Sequence, residues 1–163
     1  MQEKPLPDVI AHGLKLLFVG YNPGLASAQT GHHYAHRSNR FWRLLHESGL
    51  TPGRLEAIED RKLLKLGFGS TNIVDKQTRS EGDISKEELK NGAMQLNKLI
   101  LEYKPKVICY VGIGVYKAYA SQILGVPKTR LAVKTGLQPE AIVEGTYDFV
   151  CSNPSGLNTI PLE

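Results

Sequence analysis

An α/β fold in three layers, α/β/α around a central and mainly parallel sheet, is what this sequence predicts, on three observations. Short, nearly unbroken apolar runs alternate with amphipathic helical stretches, the pattern of strands buried on both faces and joined by helices. Two Asn-Pro loops, Gly20-Tyr21-Asn22-Pro23-Gly24 and Ser152-Asn153-Pro154-Ser155-Gly156-Leu157-Asn158, each follow such a run. In open α/β sheets the carboxyl edge of the strands is where ligand sites form. Finally, the 163 residues contain no repeat, linker or low-complexity segment, which fits one domain over residues 1–163 large enough to bury its core without disulfides or a metal.

Met1 to Gly13 reads as a loosely held lead-in, and Leu14 to Val19 as the first strand. Gly20 to Gly24 is too rich in Gly, Asn and Pro to prolong it. The loop beyond is dense in groups that hydrogen-bond or stack: Ser27, Gln29, Thr30, His32, His33, Tyr34, His36, Arg37, Ser38, Asn39 and Arg40. Asn39 then caps a helix from Arg40 to Ser48 with Phe41, Leu44 and Leu45 on one side and Gly49 as its stop. Trp42 beside Phe41 reads as core.

Pro52 to Leu66 forms an amphipathic helical stretch through Leu55, Ile58, Leu63, Leu64 and Leu66, and Phe68 to Val74 a weaker strand that delivers Thr71 and Asn72 near its end. Gln77 to Asp83 is polar loop. Ser85-Lys86-Glu87-Glu88 is a capping box opening the clearest helix, whose stripe of Leu89, Ala93, Leu96, Leu99 and Ile100 runs until Pro105. Val107 to Val111 is a second buried strand. Gly112 and Gly114 turn it into a short helix through Tyr116 to Ile123; Lys117 stands where a dinucleotide fingerprint needs its third glycine, so that motif fails. An irregular stretch through Gln138 and Pro139 leads to a last strand, Tyr147 to Cys151.

The hydrophobic content of 41% and charged content of 22% are those of an ordinary soluble protein. Cys109 and Cys151 sit in apolar runs, as buried strand positions rather than a disulfide framework. No apolar run reaches membrane-spanning length, and the expected setting is soluble and intracellular. Net charge is only +4, but Lys104, Lys106, Lys117, Lys128, Arg130 and Lys134 fall in a stretch with no acidic residue, and Arg37, Arg40 and Arg43 follow the first loop. These two basic stretches fit the flanks of one phosphate-binding face as well as a solvated surface.

Taken together, GYNPG, GHHYAHRSNRFW, FGSTNIVD and NPSGLN, in this order from about Lys15 to Asn158, resemble the mismatch-specific uracil/thymine-DNA glycosylases of the uracil-DNA glycosylase superfamily. The resemblance implies a monofunctional enzyme that turns uracil, or thymine and other modified pyrimidines, out of a G-mismatched duplex and hydrolyses the N-glycosidic bond. It places Asn22 at the catalytic position, where an amide orients water, and Tyr34 as the aromatic stacked on the flipped base. The backbone around Tyr21 and Tyr34 meets the polar edge of the pyrimidine, Ser27 lines its C5 side, and His33 and Asn72 contact the base. In NPSGLN, Leu157 is the wedge that fills the gap left by the extruded nucleotide, with Asn153, Pro154, Ser155, Gly156 and Asn158 around it holding phosphates or the unpaired guanine. Thr159 stands where some relatives have an arginine, and relatives usually continue into a final helix where this sequence stops at Glu163. The implied partner is double-stranded DNA with a mismatched or damaged pyrimidine, bound by a monomer with no cofactor and no metal. The implied setting is cytoplasmic and nucleoid-associated in a prokaryote, nuclear in a eukaryote.

Other readings of the same residues stand beside this one. Asn22 fits a turn for conformational reasons alone. His32, His33 and His36 offer three imidazoles to a zinc-dependent hydrolase. Asp75 and Asp148, near proposed strand ends, offer a general base or merely solvated turns. A damage-recognition module that flips bases without cutting shares every binding motif.

Overall fold

The structure, a computed structural model, describes residues 4–156. The chain runs through β1 (Leu16–Gly20), α1 (Leu25–Thr30), α2 (Phe41–Glu47), a 3₁₀ helix (Ala57–Leu66), β2 (Phe68–Asn72), α3 (Lys86–Tyr103), β3 (Val107–Val111), α4 (Ile113–Leu124), β4 (Gly136–Leu137) and β5 (Tyr147–Cys151). The sheet order is β2-β1-β3-β5-β4, parallel except for β4, which pairs antiparallel with β5. No helix among the described residues is long and apolar enough to cross a membrane.

Alternation along the strands builds the three layers, because successive side chains leave opposite faces of a sheet. Leu17, Val19, Ile108, Tyr110 and Val150 meet Leu89, Ala93, Leu96 and Ile100 of α3 and Ala118 and Tyr119 of α4. From the other face Phe18, Cys109 and Val111 meet Phe41, Trp42 and Leu45 of α2 and Leu63 of the 3₁₀ helix. The predicted three-layer α/β/α class is the one observed.

α3 starts as its capping box dictates. The Ser85 hydroxyl accepts the Glu88 N–H at 3.1 Å and the Glu88 carboxylate accepts the Ser85 N–H at 2.8 Å. Midway along it, a Cβ on Gly92 would run into the Ile73 carbonyl, so glycine lets this helix lie directly on the chain that leaves β2.

Several expectations need correction. The lead-in is firmly held: Val9 and Ser70 exchange backbone hydrogen bonds at 2.9 and 2.8 Å on the edge of β2, and Thr71 Oγ1 donates to Asp8 Oδ1 at 2.7 Å. The stretch predicted from Pro52 is helical only from Ala57 and winds as 3₁₀. A period of three sets Ala57, Asp60, Leu63 and Leu66 on one face and turns Ile58 outward, 71% exposed. α1 and β4 fall in stretches read as irregular, α4 begins at Ile113 rather than Tyr116, and β2 stops at Asn72 rather than Val74. Burial of the strands on both faces ends at β5, where Tyr147 and Phe149 point outward.

Candidate active site

A groove of about 970 Å³ opens over the carboxyl ends of β1 and β3. The connection leaving β1 runs to β2 on one side of the sheet, and that leaving β3 runs toward β5 on the other. The groove therefore sits at the topological switch point, where a crevice forms between diverging connections. Tyr21, Asn22, Ser27, His33, Tyr34 and Asn72 line it from one side, and Asn153, Ser155 and Gly156 from the other. Pro154 is buried beneath the second loop. Leu157 and Asn158, the proposed wedge and its neighbour, lie outside the described residues, as does Thr159.

Asn22 is held by its amide nitrogen. Nδ2 donates to the Lys76 carbonyl at 2.9 Å and to Thr78 Oγ1 at 2.7 Å, and the Thr78 hydroxyl passes its own proton to the Ser80 carbonyl at 2.7 Å. A backbone carbonyl only accepts, so the atom facing Lys76 has to be the nitrogen, which settles the orientation of the amide. Oδ1 is thereby left as an acceptor that no protein donor among the described residues fills, on a residue that lines the groove. Sequence reasoning treated residues 77–83 as connecting loop and missed Thr78; its partner lies 56 residues away, beyond any local pattern.

Tyr34 occupies the left-handed region with φ 52°, a conformation that costs a non-glycine residue roughly 1–2 kcal/mol. The strained backbone stacks its ring on Phe41, centroids 3.8 Å apart and planes 15° from parallel. One ring face thus rests on the core while the residue lines the groove. The hydroxyl is buried and completes no hydrogen bond of ordinary geometry; burial drives its pKa far up, so it stays neutral. Beside it, a Cβ on Gly20 would stand 2.5 Å from Asn72 Oδ1 and 3.6 Å from the Tyr34 hydroxyl. Glycine at the end of β1 keeps that corner open. Asn72 ends β2 in register with Gly20, and Ser27 Oγ accepts the Ala35 N–H at 3.1 Å.

His33 departs from its predicted role. Its Nε2 faces the Pro7 carbonyl at 2.8 Å and its Nδ1 the Ser70 hydroxyl at 2.9 Å. The carbonyl demands a donor, so Nε2 carries the proton and Nδ1 accepts from Ser70. Both ring nitrogens are spent on the protein, which leaves none to read a base edge. Burial, the largest influence, holds its pKa below the usual histidine value. The ring is a post between the lead-in, β2 and the groove loop, supported by Asp60 Oδ2 on the His33 N–H at 3.0 Å and by Trp42 Nε1 on the His33 carbonyl at 3.2 Å.

The three imidazoles of the zinc reading diverge. His32 faces Asp60 at 3.2 Å, His33 faces Pro7 and Ser70, and His36 faces Ser38 at 2.7 Å. Among the described residues no group of three or more His, Cys, Asp or Glu could hold a metal ion. The two carboxylates offered as general bases are elsewhere. Asp148 is buried within β5, where Oδ2 accepts the Ile142 N–H at 2.9 Å, and Asp75 is exposed beside a smaller hollow formed with Leu6, Pro23 and Gln77. Glu81 is the only carboxylate among the described groove residues, and burial raises its pKa while Lys128 opposes the rise.

The second Asn-Pro loop is tied to the start of α2 by Arg40. Its backbone N–H donates to the Pro154 carbonyl at 2.9 Å, and its guanidinium reaches the Pro154 and Ser155 carbonyls at 3.4 and 3.5 Å. Asn153 Oδ1 accepts the Ser155 N–H at 2.9 Å, and a Cβ on Gly156 would strike Ser38. Of the basic residues after the first loop, Arg40 therefore serves the fold and Arg43 pairs with Glu47 on the surface at 2.7 Å.

A family model of the Uracil DNA glycosylase superfamily matches residues 7–163. The chain belongs to the uracil DNA glycosylase superfamily. Its members are DNA glycosylases, hydrolases acting on N-glycosyl bonds in base excision repair. DNA glycosylases act on a base that has left the helical stack, which a groove of this kind can admit.

Proposed function

We propose that the protein is a monofunctional glycosylase that removes uracil, and thymine or other modified pyrimidines, from G-mismatched double-stranded DNA. The observation that carries this reading is the anchored amide of Asn22 in the groove lining, with Nδ2 fixed by Lys76 and Thr78 and Oδ1 taken by no protein donor among the described residues. An amide oxygen accepts a hydrogen bond from water but is too weak a base to remove its proton early. Such a site suits a dissociative path, in which the glycosidic bond stretches, the sugar gains positive charge, the base leaves as an anion, and the held water then adds to the anomeric carbon and gives up its proton to the departed base or to solvent.

In this path the flipped base lies on the free face of Tyr34 as a third ring on the Tyr34–Phe41 stack. Backbone amides around Tyr21 and Tyr34 meet its polar edge, Asn72 contacts it, and Ser27 bounds its C5 side. His33 holds the shape of that pocket and contacts no base. Asn153 to Asn158 meet the duplex, with Leu157 as the wedge. The enzyme acts as a monomer without cofactor, in the cytoplasm at the nucleoid of a prokaryote or in the nucleus of a eukaryote.

Base release from oligonucleotides carrying uracil or thymine opposite guanine, uracil opposite adenine, and uracil in a single strand tests the proposal. Release is expected to be fastest for uracil opposite guanine. Asn22→Ala is expected to abolish it with DNA affinity retained. Affinity for flipped bases without release from any substrate would leave a recognition module, and release surviving in Asn22→Ala would remove the amide from the mechanism.

A further inference from the structure

Cys109 and Cys151 lie on the adjacent parallel strands β3 and β5 with their Sγ atoms 3.7 Å apart, and both are free thiols. Neither takes part in the glycosylase chemistry above. Cys109 is buried at 6% exposure, whereas Cys151 is half-buried at the last position of β5. The Cys109 S–H points at Cys151 Sγ, and Cys151 Sγ also lies 3.6 Å from the Tyr110 carbonyl.

We propose that the pair is a hydroperoxide-reactive dithiol site, in which Cys151 is oxidised first and Cys109 resolves it to an internal disulfide. Exposure orders the roles, because Cys151 is the less buried of the two and so the more open to a reagent arriving from solvent. Hydrogen bonding orders them the same way. The Cys109 thiol stabilises charge on Cys151, drawing the Cys151 pKa down, while that bond and burial push Cys109 up.

The chemistry closes without a further reactant. The Cys151 thiolate attacks one oxygen of the hydroperoxide, the O–O bond breaks, and the departing alkoxide takes a proton from solvent as an alcohol. Cys151 becomes a sulfenic acid, oxidised by two electrons. The Cys109 sulfur then attacks Cys151 sulfur, the S–O bond breaks, and the hydroxide leaves as water with the Cys109 proton. Two thiols have become one disulfide and one hydroperoxide has been reduced.

Cys109 stands opposite Phe149 and Val111 opposite Cys151, so the cysteines are diagonal, and strands about 4.8 Å apart with a rise of about 3.3 Å per residue separate such Cα atoms by about 8 Å. Relaxed disulfides span at most about 6.8 Å. Bridging therefore draws the end of β5 toward β3, and the loop that begins at Ser152 moves with it. Such a bridge belongs to the readily reduced, regulatory kind.

The native protein is treated with hydrogen peroxide, then denatured, alkylated and weighed. Loss of both thiols together, with a mass lower by two hydrogens and full recovery under dithiothreitol, is expected. Cys151→Ser is expected to leave Cys109 unmodified, and Cys109→Ala, which suits the buried position, to stop at a sulfenic acid trapped by a 1,3-diketone. Persistence of both thiols, or oxidation of Cys109 at the native rate in Cys151→Ser, overturns the proposal. These readouts are independent of base release. The coupling to the loop rests on the proposed function: oxidised native protein is expected to release uracil more slowly and to recover on reduction, and an unchanged rate in protein shown by mass to be fully bridged refutes that coupling.

Discussion

Replacing Thr78 with Val tests how the site orients its water. The substitution keeps the shape of the side chain and deletes a hydroxyl that accepts from Asn22 Nδ2 at 2.7 Å and donates to the Ser80 carbonyl at 2.7 Å. Asn22 then keeps the Lys76 carbonyl at 2.9 Å and a long contact to the Pro23 carbonyl at 3.4 Å. One hydrogen bond is worth about 0.5–1.5 kcal/mol net. If that whole amount is lost from transition-state orientation, release of uracil slows by roughly 2- to 13-fold. The assay is single-turnover base release at saturating enzyme, with duplex affinity measured separately. The rate is expected to fall at constant affinity, and Thr78→Ser, which restores the hydroxyl, is expected to recover most of it. An unaltered rate in Thr78→Val, alongside an inactive Asn22→Ala, would refute the view that this loop holds the amide in place.

Further predictions concern the buried titratable groups. His33 has a folded pKa below the ordinary histidine value of 6.5, with burial as the first cause. Below about pH 6.5 the unfolded chain binds a proton that the folded chain refuses, so this contribution to stability is complete above that pH and is lost as pH falls. Denaturant titrations from pH 8 to 5 are expected to show a decline in the native protein that is shallower in His33→Gln; parallel curves would exclude His33 as its source. For Asp148, burial, only partly opposed by the Ile142 N–H and the Tyr110 hydroxyl, raises the carboxyl pKa above 3.8, and Oδ1 completes no hydrogen bond of ordinary geometry. The folded state then holds its proton more tightly than the unfolded state, and stability falls as pH rises through that window. Asp148→Asn, which keeps an acceptor for the Ile142 N–H, is expected to raise stability at pH 7–8 and to lose that advantage toward pH 4. A destabilised variant at pH 8 would show that Tyr110 and its neighbours hold the ionised form.

The layers were legible because burial imposes its period on the sequence: Leu17 and Val19 alternate with Phe18, and the α3 stripe follows the helical repeat. Ser85 and Glu88 announced that helix in four residues. Elements too short to show a period left no such mark, among them the two-residue β4 and the six-residue α1. Within the site, the position of Asn22 at a strand end could be read locally. The orientation of its amide could not, since it depends on the Lys76 carbonyl and the Thr78 hydroxyl. His33 misled for the same reason, because its partners Pro7 and Ser70 come from 26 and 37 residues away.

The clamp at Arg40 bears on how the molecule comes into being. The guanidinium and backbone of Arg40 meet Pro154 across 114 residues of chain, whereas the packing of α3 on α4 and the pairing of β1 with β2 close shorter loops. Contacts distant in sequence are slow to form because the chain between them must first be brought to order. A nascent chain can thus assemble its sheet and helices before it owns a groove, and competence arrives only when the last strand and its loop reach the start of α2. Refolding followed by burial of Trp42 and by base release is expected to show structure first and activity later.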